Sequence, residues 1–209
     1  SEIPQEFALD SIQGNIYWEH VASNDPSLTL APVYGNGMMR FASSRGRASL
    51  SRMVIKQVDL QGSSKPKLSF WYAHDNTNPN ARDYMEVLAS TDGGRTYSRL
   101  MTVYRYDASY STPGWKLYQY DLSKFINETC LHIAFEAASY GGADQSVDRI
   151  QIQVEQDVEI QQFIVSDTLS ACDLDNRSIS LVLNNSTMYD VNYDRSDSIH
   201  LYVELVKPD

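Results

Sequence analysis

The stretch Arg149-Ile-Gln-Ile-Gln-Val-Glu155 alternates apolar and polar residues without a break, and Leu131-His-Ile-Ala-Phe-Glu-Ala137 repeats the pattern upstream. Successive side chains of an extended chain point to opposite faces, so each stretch should bury one face against a core. Helical stripes are scarce. The best candidate is a short turn at 122–127, where Asp121 or Ser123 can hold orphan backbone amides. Turn chemistry falls between the strands: Ser90-Thr-Asp-Gly-Gly94 separates a strand at Tyr84–Ala89 from one at Tyr97–Tyr104 and supplies the positive φ of a tight reversal. Thr112-Pro-Gly114, Gly141-Gly142 and Tyr34-Gly-Asn-Gly37 mark further reversals. Strands at this spacing, without internal repeats, predict an all-β sandwich or jelly roll.

Composition narrows the function classes. The 209 residues are 42% hydrophobic and 21% charged, which is enough apolar content for a core, and no apolar run approaches the roughly 20 residues of a membrane span. Seventeen Lys and Arg against 27 Asp and Glu give a net charge of -10, which argues against nucleic acid and anionic lipid as partners. Two cysteines, Cys130 and Cys172, are too few for a disulfide framework or a multi-cysteine zinc site. Charge is uneven along the chain: residues 155–209 hold 3 basic and 11 acidic residues, against 14 and 16 in the first 154. A boundary near Glu155 follows, because one strand pattern ends there and another begins at Val158. Two units are expected, 1–154 and 155–209.

Catalytic constellations are sparse. His20, His74, His132 and His200 lack metalloprotease spacing, and there is no nucleophile elbow or phosphate-gripping glycine loop. Glu86, in Tyr84-Met-Glu86, is a lone strand acid rather than one of the paired carboxylates that glycoside hydrolysis needs. The chain is therefore expected not to be an enzyme. Ser90-Thr-Asp-Gly-Gly-Arg-Thr-Tyr97 fits the Asp-box pattern, in which the Asp caps backbone amides and the aromatic anchors the hairpin; a single copy points to a structural role for Asp92.

Lys67-Leu-Ser-Phe-Trp-Tyr-Ala-His-Asp75 is a strand packed with aromatics that ends in polar and acidic residues. With Val87–Gly94, Trp115 ahead of Asp121-Leu-Ser123, Ile133-Ala-Phe135 and Val147-Asp-Arg-Ile150, it resembles the jelly-roll superfamily that contains MAM domains and the cleaved-adhesin domains of bacterial surface proteases. The resemblance implies a two-sheet β-sandwich used for adhesion outside cells. It also implies a structural calcium near the chain start and the final strand, at positions matching Asp148 with Glu6 or Asp10. Here Arg149 stands where the family commonly has a second acid, which removes an oxygen ligand. Asp75 and Asp83, flanking the Asn-rich loop 76–80, form a second oxygen-rich candidate. Residues 157–209 resemble the bacterial cell-adhesion-related immunoglobulin-like domains through Asp157-Val-Glu-Ile160, Cys172-Asp-Leu174 and Ile179–Asn185. They supply three or four strands, ending with the alternation of Ile199, Leu201, Val203 and Leu205, so this would be a partial immunoglobulin-like unit.

Fourteen tyrosines and three tryptophans raise the prospect of sugar binding, since flat aromatic faces stack on pyranose rings at small entropic cost. The candidate site is Trp115 with Arg105, Tyr104 and Tyr118, followed by Trp18; the competing reading is that half of these aromatics simply pack between strands. The leading expectation is a non-catalytic extracellular or cell-surface module binding a glycan or a surface protein. Its rivals are a jelly-roll carbohydrate-active enzyme and a purely structural spacer.

Overall fold

A computed structural model describes residues 7–23, 29–61, 63–155, 158–165 and 179–185. The chain divides into two units, Ser1–Glu155 and Gln156–Asp209. The first contains ten strands: β1 (Phe7–Gln13), β2 (Trp18–Ala22), β3 (Gly37–Phe41), β4 (Arg47–Val58), β5 (Ser64–His74), β6 (Tyr84–Ser90), β7 (Ser98–Tyr104), β8 (Gly114–Asp121), β9 (Leu131–Tyr140) and β10 (Gln145–Glu155). They form two five-stranded sheets. The first has the order β1-β4-β9-β6-β7 and the second β2-β3-β10-β5-β8, with antiparallel pairing throughout.

Period-two patterning produces the shared core. Met53, Met85, Val87, Ile133 and Phe135 from the first sheet meet Phe41, Leu68, Phe70, Tyr72 and Val147 from the second. Trp18 joins the two layers: it is 1% exposed, and its indole N–H donates to the carbonyls of Phe135 and Ser51 at 3.1 and 3.3 Å. Here the sequence expectation is corrected. An indole enclosed on its faces and satisfied at its nitrogen is a core residue, not a stacking surface.

The unbroken alternation expected of Arg149–Glu155 begins with an irregularity. Between Asp148 and Gln151 the register shifts, and Arg149 takes φ +48°. The extra residue re-phases the strand, so that Val147 on one side of it and Ile150 and Ile152 on the other all reach the core. The Asp148 carboxylate steadies the bulge by accepting the Arg149 N–H at 2.7 Å. The helical candidate is a single 3₁₀ turn, Ser123–Phe125, with Asp121 accepting the Ser123 N–H at 2.8 Å.

The described part of the second unit is a two-stranded antiparallel sheet, β11 (Val158–Val165) with β12 (Ile179–Asn185), running from Val158↔Asn185 to Val165↔Ile179. The expected strand at 199–205, the Cys172-Asp-Leu174 motif and Glu6 lie outside the described residues. Among the described residues, no helix is long and apolar enough to cross a membrane.

Candidate functional site

The outer face of the first sheet is built in three rows. Ala8, Val54, Ala134 and Leu88 are aligned across β1, β4, β9 and β6, and form a small apolar cluster with Tyr97 packed against it. That tyrosine comes from the Asp-box hairpin. Asp92 accepts the N–H groups of Arg95 and Thr96 at 3.0 and 2.9 Å and the hydroxyls of Ser90 and Thr96. These hydrogen bonds, the Thr96 hydroxyl first, hold its carboxyl well below the usual carboxylate range. The hairpin is thereby fixed and Tyr97 lies over the sheet, with the Arg52 guanidinium 4.1 Å above its ring.

The second row is charged: Asp10, Arg52, Glu136 and Glu86 face one another in register. Arg52 donates to Glu136 at 2.9 and 2.5 Å, and Arg99 donates to Glu86 at 3.0 Å. Like charges directly opposite on neighbouring strands cost stability. The two arginines offset that cost for Glu86 and Glu136.

The third row is aromatic. Tyr84 and Tyr104 are register partners on β6 and β7, and Tyr140 closes β9 diagonally from Tyr84; both ring pairs have centroids 6.2 Å apart. Tyr104 is 57% and Tyr140 49% exposed. None of the three hydroxyls has a hydrogen-bond partner among the described residues. A groove of about 200 Å³, lined by Tyr84, Tyr140, Leu50 and Gln13, lies on one side. A second of about 380 Å³, lined by Tyr104, Tyr106, Arg82, Asp83, Pro79 and Ala81, lies on the other. Tyr84 and Tyr140 wall the first groove, and Tyr104, the register partner of Tyr84, walls the second.

The sequence candidates do not assemble as one site. Tyr104 belongs to this face, on the first sheet. Trp115 and Tyr118 are on β8 of the second sheet, and alternation sends them to opposite sides of it. Tyr118 turns inward, stacks on Phe70 and meets His74 Nε2 at 2.9 Å. The His74 Nδ1 faces the Arg105 carbonyl at 3.2 Å, which has no proton to give, so Nδ1 donates and Nε2 accepts from the Tyr118 hydroxyl. Burial lowers the His74 pKa, keeping the ring neutral for this role, and pushes the Tyr118 phenol up to about 12. Trp115 donates its indole N–H to the Ala31 carbonyl at 2.8 Å.

Arg105 is 0% exposed and is corrected from ligand contact to internal cation. Its guanidinium pairs with Asp75 and with Asp83 Oδ2 at 3.3 Å, and donates to the Thr77 carbonyl at 2.7 Å. It occupies the oxygen cage that the Asp75–Asp83 loop offers to a metal. Asp83 Oδ1 also accepts the Tyr140 N–H at 2.5 Å, which ties this cluster to the tyrosine face. A Cβ on Gly142 would collide with Asp83 Oδ2, so the approach requires glycine there.

Of the calcium candidates, Asp10 stands on β1 of the first sheet and Asp148 on β10 of the second. Asp148 Oδ2 accepts the N–H groups of Val33 and Tyr34 at 2.6 and 3.0 Å. Among the described residues, no group of three or more His, Cys, Asp or Glu is placed to hold a metal ion.

Three residues at these faces escaped the sequence reading. Tyr84 had a signal in register, since Asp-Gly-Gly hairpin pairing sets it opposite Tyr104, whereas Tyr140 depends on the long-range pairing of β9 with β6. Trp71 alternates with the buried Phe70 and Tyr72, and so lies on the outer side of β5, opposite Leu117.

No family model matches the chain, and no curated protein matches it. Among solved structures, it is similar to the K2 cleaved adhesin domain of Lys-gingipain, at 15% identity and TM-score 0.55, over 73% of this chain and 90% of that one. It is also similar to TmCBM61, solved in complex with β-1,4-galactotriose, at 14% identity and TM-score 0.51, over 72% of this chain and 90% of that one. With an adhesin domain and a carbohydrate-binding module alike, the chain shares the jelly-roll β-sandwich fold.

Proposed function

We propose that the first unit is a non-catalytic, extracellular glycan-binding module whose binding face is the Tyr84–Tyr104–Tyr140 row. The observation that carries this reading is the state of the three tyrosines: the Tyr84 ring contacts the other two, Tyr104 and Tyr140 are about half exposed, and among the described residues their hydroxyls have no hydrogen-bond partner. An aromatic face with free polar ends offers stacking and hydrogen bonding together, which is what a pyranose ring presents in return. The flanking grooves extend the surface on both sides, giving room for more than one sugar. In TmCBM61 the same fold accompanies a galactotriose ligand, which supports the glycan class over a protein partner.

The enzymatic rival draws on one specific observation, the in-register placement of Glu86 and Glu136. Each carboxylate is engaged by an arginine. A glycosidase pair instead needs one carboxyl free to give a proton and the other free to attack or activate water. The row therefore supports a charge-paired surface beside the tyrosines. The segment 157–209 is read as a partial immunoglobulin-like spacer that follows the binding unit.

The test is a glycan array followed by titration calorimetry with β-1,4-galactotriose and with the strongest array ligand. Saturable binding that falls about tenfold or more in Tyr104→Ala, with the fold intact, supports the proposal. Release of reducing sugar by the wild-type chain, lost in Glu86→Gln, would replace it with the enzymatic reading.

A further inference from the structure

The linings of the two grooves beside the tyrosines differ in charged side chains, and on the reading of that face as a glycan site we infer that the larger groove takes an acidic sugar, with Arg82 pairing to its carboxylate. Arg82 is exposed and lines the 380 Å³ groove beside Tyr104 and Tyr106. Among the described residues it has no ion-pair partner. Asp83 lines the same groove but is 1% exposed, with one carboxylate oxygen on Arg105 and the other on the Tyr140 N–H, and among the described residues it makes no ion pair with Arg82. The charged row next to the tyrosines is balanced at its centre, because Glu136 and Glu86 are matched by Arg52 and Arg99. Arg82 is thus the exposed cation in this groove's lining, and it makes no ion pair among the described residues.

The rest of the groove suits a sugar that carries its charge at one point. Pro79 and Ala81 give it apolar walls, and the two tyrosines supply ring faces. A planar guanidinium binds a carboxylate through two parallel hydrogen bonds, a geometry that a neutral hydroxymethyl group cannot reproduce. A uronic acid combines the stacking ring and the single carboxylate. The opposite groove, lined by Gln13, Ser49, Leu50 and Tyr140, holds no charged side chain and accommodates a neutral sugar of the same oligosaccharide.

The experiment is calorimetric titration of the full chain with trigalacturonate and with a glucuronate-substituted xylo-oligosaccharide, each beside its carboxyl-reduced counterpart, at low and high salt. Wild type should bind at least one acidic form about tenfold more tightly than its reduced form at low salt, with the preference shrinking as salt screens the pair. Arg82→Gln should erase that preference and leave the reduced form bound as before. Tyr104→Ala should weaken both forms. Equal binding of acidic and reduced forms by wild type, or a preference that survives in Arg82→Gln, overturns the acidic-sugar assignment while leaving the glycan site standing. Binding of every form that ignores Tyr104→Ala, or no binding of any probe, overturns the site itself and this inference with it.

Discussion

The outer faces of the two sheets are built from similar residues and come to opposite ends. On the second sheet, Trp115 gives its N–H to the Ala31 carbonyl, and Asp148 gathers the amides of Val33 and Tyr34. The Arg149 guanidinium lies 5.1 Å from the Tyr34 ring. The 31–34 segment is thereby strapped to that sheet at two points. On the first sheet, the Asp-box hairpin also folds back, but Tyr97 packs on the row of Val54, Ala134 and Leu88 and against Arg52 of the charged row. Tyr104 and Tyr140 remain about half exposed, and among the described residues no group hydrogen-bonds their hydroxyls or that of Tyr84. The lesson is that an aromatic residue's role turns on whether its polar end finds an internal partner. Richness in aromatics alone does not make that distinction.

The largest expected effect comes from breaking what the open face rests on. Arg105→Ala leaves Asp75 and Asp83 buried without their cation, which should cost about 3–5 kcal/mol of stability. Denaturant unfolding measures this. A loss under about 1 kcal/mol would mean that the 75–83 loop does not depend on the guanidinium. Since Asp83 also holds the Tyr140 N–H, glycan binding should fall in the same variant.

A smaller effect is expected from removing the strap on the closed face. Asp148→Ala deletes the acceptor for three backbone amides and should cost about 1–3 kcal/mol. It should also increase the access of a neutral quencher to tryptophan fluorescence as Trp115 loses its cover. Unchanged quenching would show that the strap holds without the carboxylate, and the contrast between the faces would then need another cause.

The smallest effect is a pH dependence inside the sandwich. His74 has its pKa lowered by burial, so below about pH 6.5 the unfolded chain takes up a proton that the native ring refuses. Stability should therefore fall as pH drops through 6.5 toward the folded value, and His74→Gln should flatten that slope. A slope equal in both proteins would contradict the neutral, Tyr118-accepting ring.

Much of the fold was legible because strand patterning is local. The Asp-Gly-Gly hairpin places the β6–β7 pair to within one residue at each end, and the alternation of Leu131–Ala137 fixes the start of β9, which runs three residues further to Tyr140. The site was harder, because it depends on which strands become neighbours. Tyr104, Arg105, Trp115 and Tyr118 are close in sequence, yet they divide between two sheets, an interior and a buried ion network. Tyr84, Tyr104 and Tyr140 are far apart in sequence and adjacent in space, since β9 pairs with β6 across a long connection. The buried cage is a similar case: Asp75 and Asp83 read as metal ligands until the topology delivers Arg105 between them.

The central claim is that glycan binding resides on the tyrosine face of the first sheet. The most direct measurement is the affinity of one array-selected oligosaccharide for Tyr104→Ala and Trp115→Ala, titrated side by side with melting temperatures recorded for both. The account predicts a loss of about tenfold or more for Tyr104→Ala and less than twofold for Trp115→Ala, with both proteins folded. Binding abolished by Trp115→Ala and untouched by Tyr104→Ala would place the ligand on the second sheet and contradict it.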